Sequence, residues 1–125
     1  MNVVDSSGWL EYFTEGPNAR FFAPAIEKTK ELIVPSLCIL EVFKKVLRER
    51  GENAAIEAIA LMQQGEVVDL TLPIAVSAAK LGVELKLPLA DSVVYATADR
   101  FEASLWTQDS DFKGLDRVEY IEKKK

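Results

Sequence analysis

Histidine is absent from the chain, and cysteine occurs once, at Cys38. The first absence removes histidine-based general acid and base catalysis, Ser-His-Asp and Cys-His nucleophiles, and nearly every zinc site. The second excludes an intramolecular disulfide. The apolar run Leu37 to Leu40 marks Cys38 as a buried thiol rather than a nucleophile, which suits a reducing cytoplasm. No apolar run reaches the roughly 18 residues needed to cross a bilayer, so no membrane partner is expected. The start, MNVVDSSGW, has no basic residues and no long apolar stretch ahead of a cleavage site, and does not read as a signal peptide. Positive charge is also in deficit: 15 Lys and Arg stand against 20 Asp and Glu, a net charge of −5 that weighs against nucleic-acid binding through bulk electrostatics. Several acids gathered in one pocket would account for most of that excess, and a bound divalent ion would reverse the local sign.

What remains is carboxylate, hydroxyl and lysine chemistry. All-oxygen ligand sets suit hard ions such as magnesium or manganese. The 125 residues, 49% apolar and 28% charged, fit one ordinary globular domain over residues 1–125, long enough to bury roughly two-thirds of its unfolded surface. A strand is expected at Asn2 to Asp5, then a helix capped by Ser6 or Ser7 and carrying Trp9, Leu10 and Phe13. Glu15-Gly16-Pro17 ends it. A second helix follows from about Asn18 to Lys30, a strand over Glu31 to Val34, and a helix from Pro35-Ser36 to a cap at Gly51. Ala54 to Met62 reads as helix, Glu66 to Leu70 as strand, Pro73 to Glu84 as helix, Asp91 to Glu102 as helix and Ala103 to Thr107 as strand. Val118 to Ile121 adds an edge strand before a frayed tail, Lys123 to Lys125. Strands alternating with helices predict an α/β fold of three layers, with a central, mainly parallel sheet of four to five strands.

In such a sheet the strand C-termini and the helix N-termini share one edge, where open α/β domains bind ligands. Asp5 ends the first strand, Glu41 lies about one turn into the helix after the second, Asp91 opens a helix, and Asp109 follows the fourth strand. Each has a plainer reading taken singly. Asp91 is an N-cap, and Asp5 before two serines is a turn or cap residue. Glu41 lies nearly opposite the stripe Ile39, Phe43, Val46 and Arg50, as a solvated acid paired with Lys45. Together they point to a cation: two bare carboxylates about 4 Å apart repel by roughly 4 kcal/mol at an effective dielectric of ~20. The segment Leu105 to Phe112 is the most specific, a strand ending directly in alternating carboxylates with the Thr107 hydroxyl two residues before the first.

Val3-Val4-Asp5-Ser6-Ser7, Pro35-Ser36 with Glu41, Leu89-Ala90-Asp91, and Leu105-Trp106-Thr107-Gln108-Asp109-Ser110-Asp111-Phe112 together resemble PIN-domain ribonucleases, especially the small VapC-type toxins. The resemblance spans nearly the whole chain. It implies a divalent-metal-dependent endoribonuclease that hydrolyses RNA with metal-activated water, using magnesium or manganese. Asp5, Glu41, Asp91 and Asp109 would be its acidic quartet, the metal held by Asp5, Asp91 and Asp109, with Asp111 an accessory acid. Ser6 and Thr107 would orient carboxylates by hydrogen bonds. Trp106 stands where a smaller aliphatic residue would be unremarkable, and is expected to face a helix layer rather than the site. The resemblance further implies cytoplasmic action, homodimers, and a cognate antitoxin whose tail covers the site. A surplus of apolar side chains among Trp9, Leu10, Tyr12, Phe13, Phe21 and Phe22 would supply the groove for an antitoxin helix.

Two other readings stand beside this one. A magnesium-binding phosphotransfer or regulatory α/β domain needs a lysine just after a late strand, and Lys113 is the only nearby candidate. A catalytically inactive binding module is the third. Lys44, Lys45, Arg48 and Arg50 form a basic helix end, read either as a solvated face or as a contact for RNA phosphate.

Overall fold

The computed structural model describes residues 1–124. Five short strands form one sheet: β1 (Asn2–Val4), β2 (Leu32–Pro35), β3 (Glu66–Val68), β4 (Ser104–Thr107) and β5 (Val118–Tyr120). Every pairing is parallel and the order is β3-β2-β1-β4-β5. Six helices flank the sheet in a three-layer α/β/α arrangement: α1 (Ser6–Phe13), α2 (Ala19–Glu27), α3 (Ser36–Arg50), α4 (Glu52–Met62), α5 (Leu72–Leu85) and α6 (Leu89–Arg100). The chain moves outward from β1 to β2 and β3, then returns to place β4 on the other side of β1. That reversal makes the crevice between the C-terminal ends of β1 and β4 the natural ligand position.

The inner strands are apolar on both faces, as helix-covered parallel strands require. Val3, Val4, Ile33 and Val34 are fully buried, and Leu32 almost so. The α1 N-terminus can sit against β1 only because residue 8 is glycine: a Cβ there would lie 2.6 Å from the Phe22 ring and 2.7 Å from a Val4 methyl. Gly51 lies at φ 90° and lets α3 stop and α4 begin with one residue between them. Helix α6 is buried continuously from Ser92 to Ala98, packing against the main core on one side and against Ile74 and Ala78 of α5 on the other.

Element boundaries differ from the sequence reading by one to three residues. The second helix ends at Glu27, and its expected last residues belong to a 3-10 turn, Thr29–Glu31. Its interior Pro24 removes one backbone donor from the run, while its own carbonyl still accepts from the Lys28 amide at the helix end. The expected frayed tail reaches Lys125, which lies outside the described residues.

The core stripe of α3 is Cys38, Val42 and Val46 rather than Ile39, Phe43, Val46 and Arg50. Shifting the stripe by one residue, about 100° of helix, brings Glu41 from the far side to the flank of the packed face. Lys45 does not pair with Glu41; its ammonium lies 3.2 Å from Glu49.

Candidate metal centre

The last residue of β1 is followed at once by Asp5, which is the N-cap of α1, a role expected of Ser6 or Ser7. Its Oδ1 accepts from Gly8 N at 3.1 Å and from Ser7 Oγ at 2.8 Å, and its Oδ2 accepts from Thr107 Oγ1 at 3.0 Å. The Thr107 oxygen in turn accepts from Asp109 N at 2.9 Å. One hydroxyl therefore ties the ends of β1 and β4 together and fixes two acids at once. Asp5 is 5% exposed, and burial pushes its carboxyl up to about 6 against the lowering pull of these donors.

Asp91, Asp109 and Asp111 form a tighter group, each offering an oxygen within 4.8 Å of the others. Asp109 caps the 3-10 turn Ser110–Phe112 by accepting from Asp111 N at 2.9 Å, so the aspartate pair is built by one local turn. Asp91 was expected to cap its helix, but α6 begins two residues earlier with Pro88 as its cap, leaving the Asp91 carboxylate uncommitted to the backbone. It sits in the first turn, where the helix dipole favours an anion by up to ~1 kcal/mol at an exposed site. Burial, a hydrogen bond with Asp111, and the charges of Asp109, Asp111 and Asp5 outweigh that and raise its carboxyl to about 7. Crowding of this kind disfavours the ionised form of Asp91, and an all-oxygen set suits a hard divalent ion.

Glu41 stands apart from this group. It is half-buried and held by Ser6, whose Oγ donates to Glu41 Oε1 at 2.6 Å. Beneath it lies Cys38, fully buried, its thiol pushed up by burial and by the Asp5 and Glu41 charges, which makes it inert as a nucleophile. Ser6 and Thr107 thus both bond acids, as expected. Trp106 packs against Phe21 with ring centroids 5.1 Å apart and donates from Nε1 to Asn2 Oδ1 at 2.9 Å, away from the acids. The Lys113 ammonium lies 5.7 Å from the Tyr120 ring centroid, so it is engaged there.

Three polar residues that support the acids were not singled out by sequence. Gln108, between Thr107 and Asp109, is 5% exposed; its Oε1 accepts from Asn18 Nδ2 at 2.9 Å and its Nε2 donates to Glu11 Oε1 at 3.3 Å. Glu11 Oε2 accepts from Asn18 N at 2.6 Å, and Asn18 Nδ2 also donates to Glu122 O at 3.0 Å. This network fastens the α1–α2 turn and the C-terminal segment to the loop that carries Asp109. The one available signal was a glutamine inside the strand-end motif, where solvent exposure would have been the default expectation.

The profile of the PIN domain family matches residues 3–118. No curated protein matches the chain in sequence. Among solved structures, a toxin-antitoxin complex from Klebsiella pneumoniae is similar at a TM-score of 0.80 and 22% identity, covering 95% of this chain and 96% of that one. The Mycobacterium tuberculosis toxin VapC20, described as cleaving the sarcin-ricin loop, gives 0.74 at 18% identity over 93% and 95%. PAE2754 from Pyrobaculum aerophilum gives 0.72 at 19% over 97% and 87%. These likenesses share the fold, and the profile match runs from β1 through β4 and reaches the first residue of β5. On the family profile, then, the chain belongs to the PIN-domain family.

Proposed function

We propose that the chain is a divalent-metal-dependent endoribonuclease, the toxin of a toxin-antitoxin pair acting in the cytoplasm on RNA, and that residues 1–125 are a single PIN nuclease domain. The observation that carries the reading is the mutual approach of Asp91, Asp109 and Asp111 within 4.8 Å beside the buried Asp5, at the reversal point of the sheet. Asp5, Asp91 and Asp109 would hold the ion, with Asp111 accessory and Glu41 the fourth catalytic acid. A magnesium or manganese ion held there supplies an acidified water and neutralises phosphoryl charge.

The protein's own part is to hold and orient. Thr107 fixes Asp5 and the Asp109 amide, Ser6 fixes Glu41, and the first turn of α6 presents Asp91 from a rigid, buried helix. Because the Asp91 carboxyl is raised to about 7, a cation held beside it would favour the ionised form, so cation binding would be coupled to proton release.

Two surfaces support the proposed partners. An apolar groove of about 160 Å³, lined by Leu10, Phe13, Val46, Ala54, Ala58 and Leu61 among others, lies between α1, α3 and α4, and fits the apolar face of an antitoxin helix. On α5, Leu72, Val76 and Val83 make an exposed stripe opposite the buried Ile74 and Ala78, with Leu89 exposed at the start of α6. Such a stripe suits the self-complementary patch of a homodimer. Among the described residues no helix is long and apolar enough to cross a membrane.

The deciding experiment is cleavage of total cellular RNA by purified, antitoxin-free protein with magnesium or manganese, with chelator, and with Asp91→Asn. Discrete fragments that need metal and vanish in the variant support the nuclease. A folded protein that binds the ion and leaves RNA intact overturns it.

A further inference from the structure

A polyanion approaching a protein of net charge −5 needs a local path of cations, because neither the mean field nor a group of four or five acids draws it in. Such a path exists beside the acids. Three open concavities of about 290, 390 and 410 Å³ join end to end: the first and second share Lys45, and the second and third share Ser7, Gln108 and Lys123. Glu41 lines the first and Asp109 the third, so the trench runs along the flank of the acidic centre.

Its first part is one face of α3. Glu41, Lys44, Lys45 and Arg48 follow the i, i+3, i+4, i+7 spacing and all border the same hollow. Glu41 and Arg48 are separated by roughly 10 Å along the helix, at about 1.5 Å per residue. Lys44 and Arg48 are exposed, four residues apart, and among the described residues neither has a carboxylate within salt-bridge distance; the one ion pair there is Lys45 with Glu49. Two like charges at that spacing cost a helix a few tenths of a kcal/mol. Of the acids along the trench, Glu49 meets Lys45, Glu11 accepts from Asn18 and Gln108, and Asp109 accepts from the Asp111 amide, while Glu122 borders the third hollow beside Lys123. The carboxylate that four-residue spacing would offer Lys45, Glu41, is taken by Ser6, which keeps this face cationic beyond the first turn.

The geometry points to this trench as the seat of a single-stranded RNA segment, with Lys44 and Arg48 gripping backbone phosphates on the Glu41 side of the scissile position and Lys123 gripping one between Glu41 and Asp109. The inference rests on the nuclease reading for its substrate class, and extends it by naming the side of the centre over which the strand runs. Lys44 and Arg48 touch the substrate away from the reacting bond, so they govern binding and leave chemistry alone.

The test uses fluorescence anisotropy with a labelled 12-nucleotide single-stranded RNA of mixed sequence, on protein carrying Asp91→Asn to prevent cleavage. Lys44→Ala with Arg48→Ala is compared with Lys28→Ala plus Lys30→Ala, exposed lysines that line no part of the trench. The trench pair is expected to weaken binding roughly tenfold at low salt and to flatten the slope of log affinity against log salt by about 1.4, two phosphate contacts at ~0.7 each. The control pair is expected to change neither. Equal losses in both pairs, an unchanged slope in the trench pair, or no RNA affinity in the parent overturns the proposal. In otherwise unaltered protein, cleavage of a tetranucleotide by the trench variant is expected to keep its kcat, with KM for the longer RNA raised. If no RNA of any length is cut by the parent while the anisotropy difference stands, the nuclease reading fails and the binding trench survives.

Discussion

The two halves of the acidic centre are built on opposite principles. On the β1 side, Asp5 is buried with both carboxylate oxygens bonded, to Ser7, Gly8 and Thr107. On the α6 side, Asp91 is half-exposed, has no backbone commitment, and faces two other aspartates. The first half is organised before any ligand arrives; in the second, three acids are crowded together, which raises Asp91. Preorganisation and unrelieved repulsion are complementary demands on a cation site. One sets where an ion sits, and the other supplies the free energy that its arrival releases.

The largest effect should come from breaking the repulsive half. Asp91→Asn is expected to lower metal-dependent RNA cleavage at least a hundredfold, the scale of losing one charge-stabilising group in a site. The same change should raise the thermal midpoint in chelator at pH 8, because it deletes one of three crowded charges. Activity and metal-free stability thus move in opposite directions, and a variant that loses both would break the comparison. On the pinned half they should move together. Thr107→Val strips one donor from Asp5 and the acceptor from the Asp109 amide, at a cost of about 1–3 kcal/mol in urea unfolding. Manganese affinity, read by calorimetry, should fall roughly ten- to a hundredfold, and Thr107→Ser, which keeps the hydroxyl, should restore most of it.

The same division explains what was legible in the sequence. Asp5, Asp109 and Asp111 stand next to strand ends, and those strands announce themselves through short runs of β-branched or aromatic residues, Val3-Val4 and Leu105-Trp106-Thr107. Their convergence follows from parallel topology alone. Glu41 was harder, because the α3 stripe depends on which of two adjacent apolar sets, Cys38-Val42-Val46 or Ile39-Phe43-Val46, meets the sheet, and that is decided by tertiary packing. The cap at Asp91 failed for a related reason: Pro88 is well suited to precede a helix, so α6 starts at Leu89 and the aspartate is released. The Glu11-Asn18-Gln108 network was all but hidden, since Gln108 lies 90 positions from Asn18 and 97 from Glu11 and meets them only once the fold brings them together.

A pH series sharpens the contrast with a smaller effect. Folded-state values of about 7 for Asp91 and about 6 for Asp5 lie above the ordinary 3.8. The unfolded chain releases these protons first, so between about pH 4 and pH 7 it binds fewer protons than the folded one, and stability falls as pH rises. The stabilising share of these two groups is complete below about pH 4 and lost above about pH 7. Urea midpoints in chelator should follow that decline, while saturating magnesium should flatten it above pH 6, since ion-loaded carboxylates stay ionised in the folded state. A chelated protein whose stability rises across that window would contradict the crowding.

The smallest effect tests whether Glu41 belongs to either half. Ser6→Ala removes its only described hydrogen bond while leaving Asp5, the actual cap of α1, untouched. The hydroxyl lies near the surface and Glu41 can turn to water, so the stability cost should stay near 0.5–1 kcal/mol, that of one ordinary hydrogen bond. If Glu41 works from a fixed position, cleavage should fall several-fold with manganese affinity unchanged, because the carboxylate stands apart from the Asp91, Asp109 and Asp111 group. A parallel fall in manganese affinity would instead make Glu41 a member of the pinned half, held by Ser6 as Asp5 is held by Thr107. The two hydroxyls would then be equivalent devices on either side of one ion. Unchanged cleavage would mean that the Ser6 hydrogen bond is not what positions Glu41.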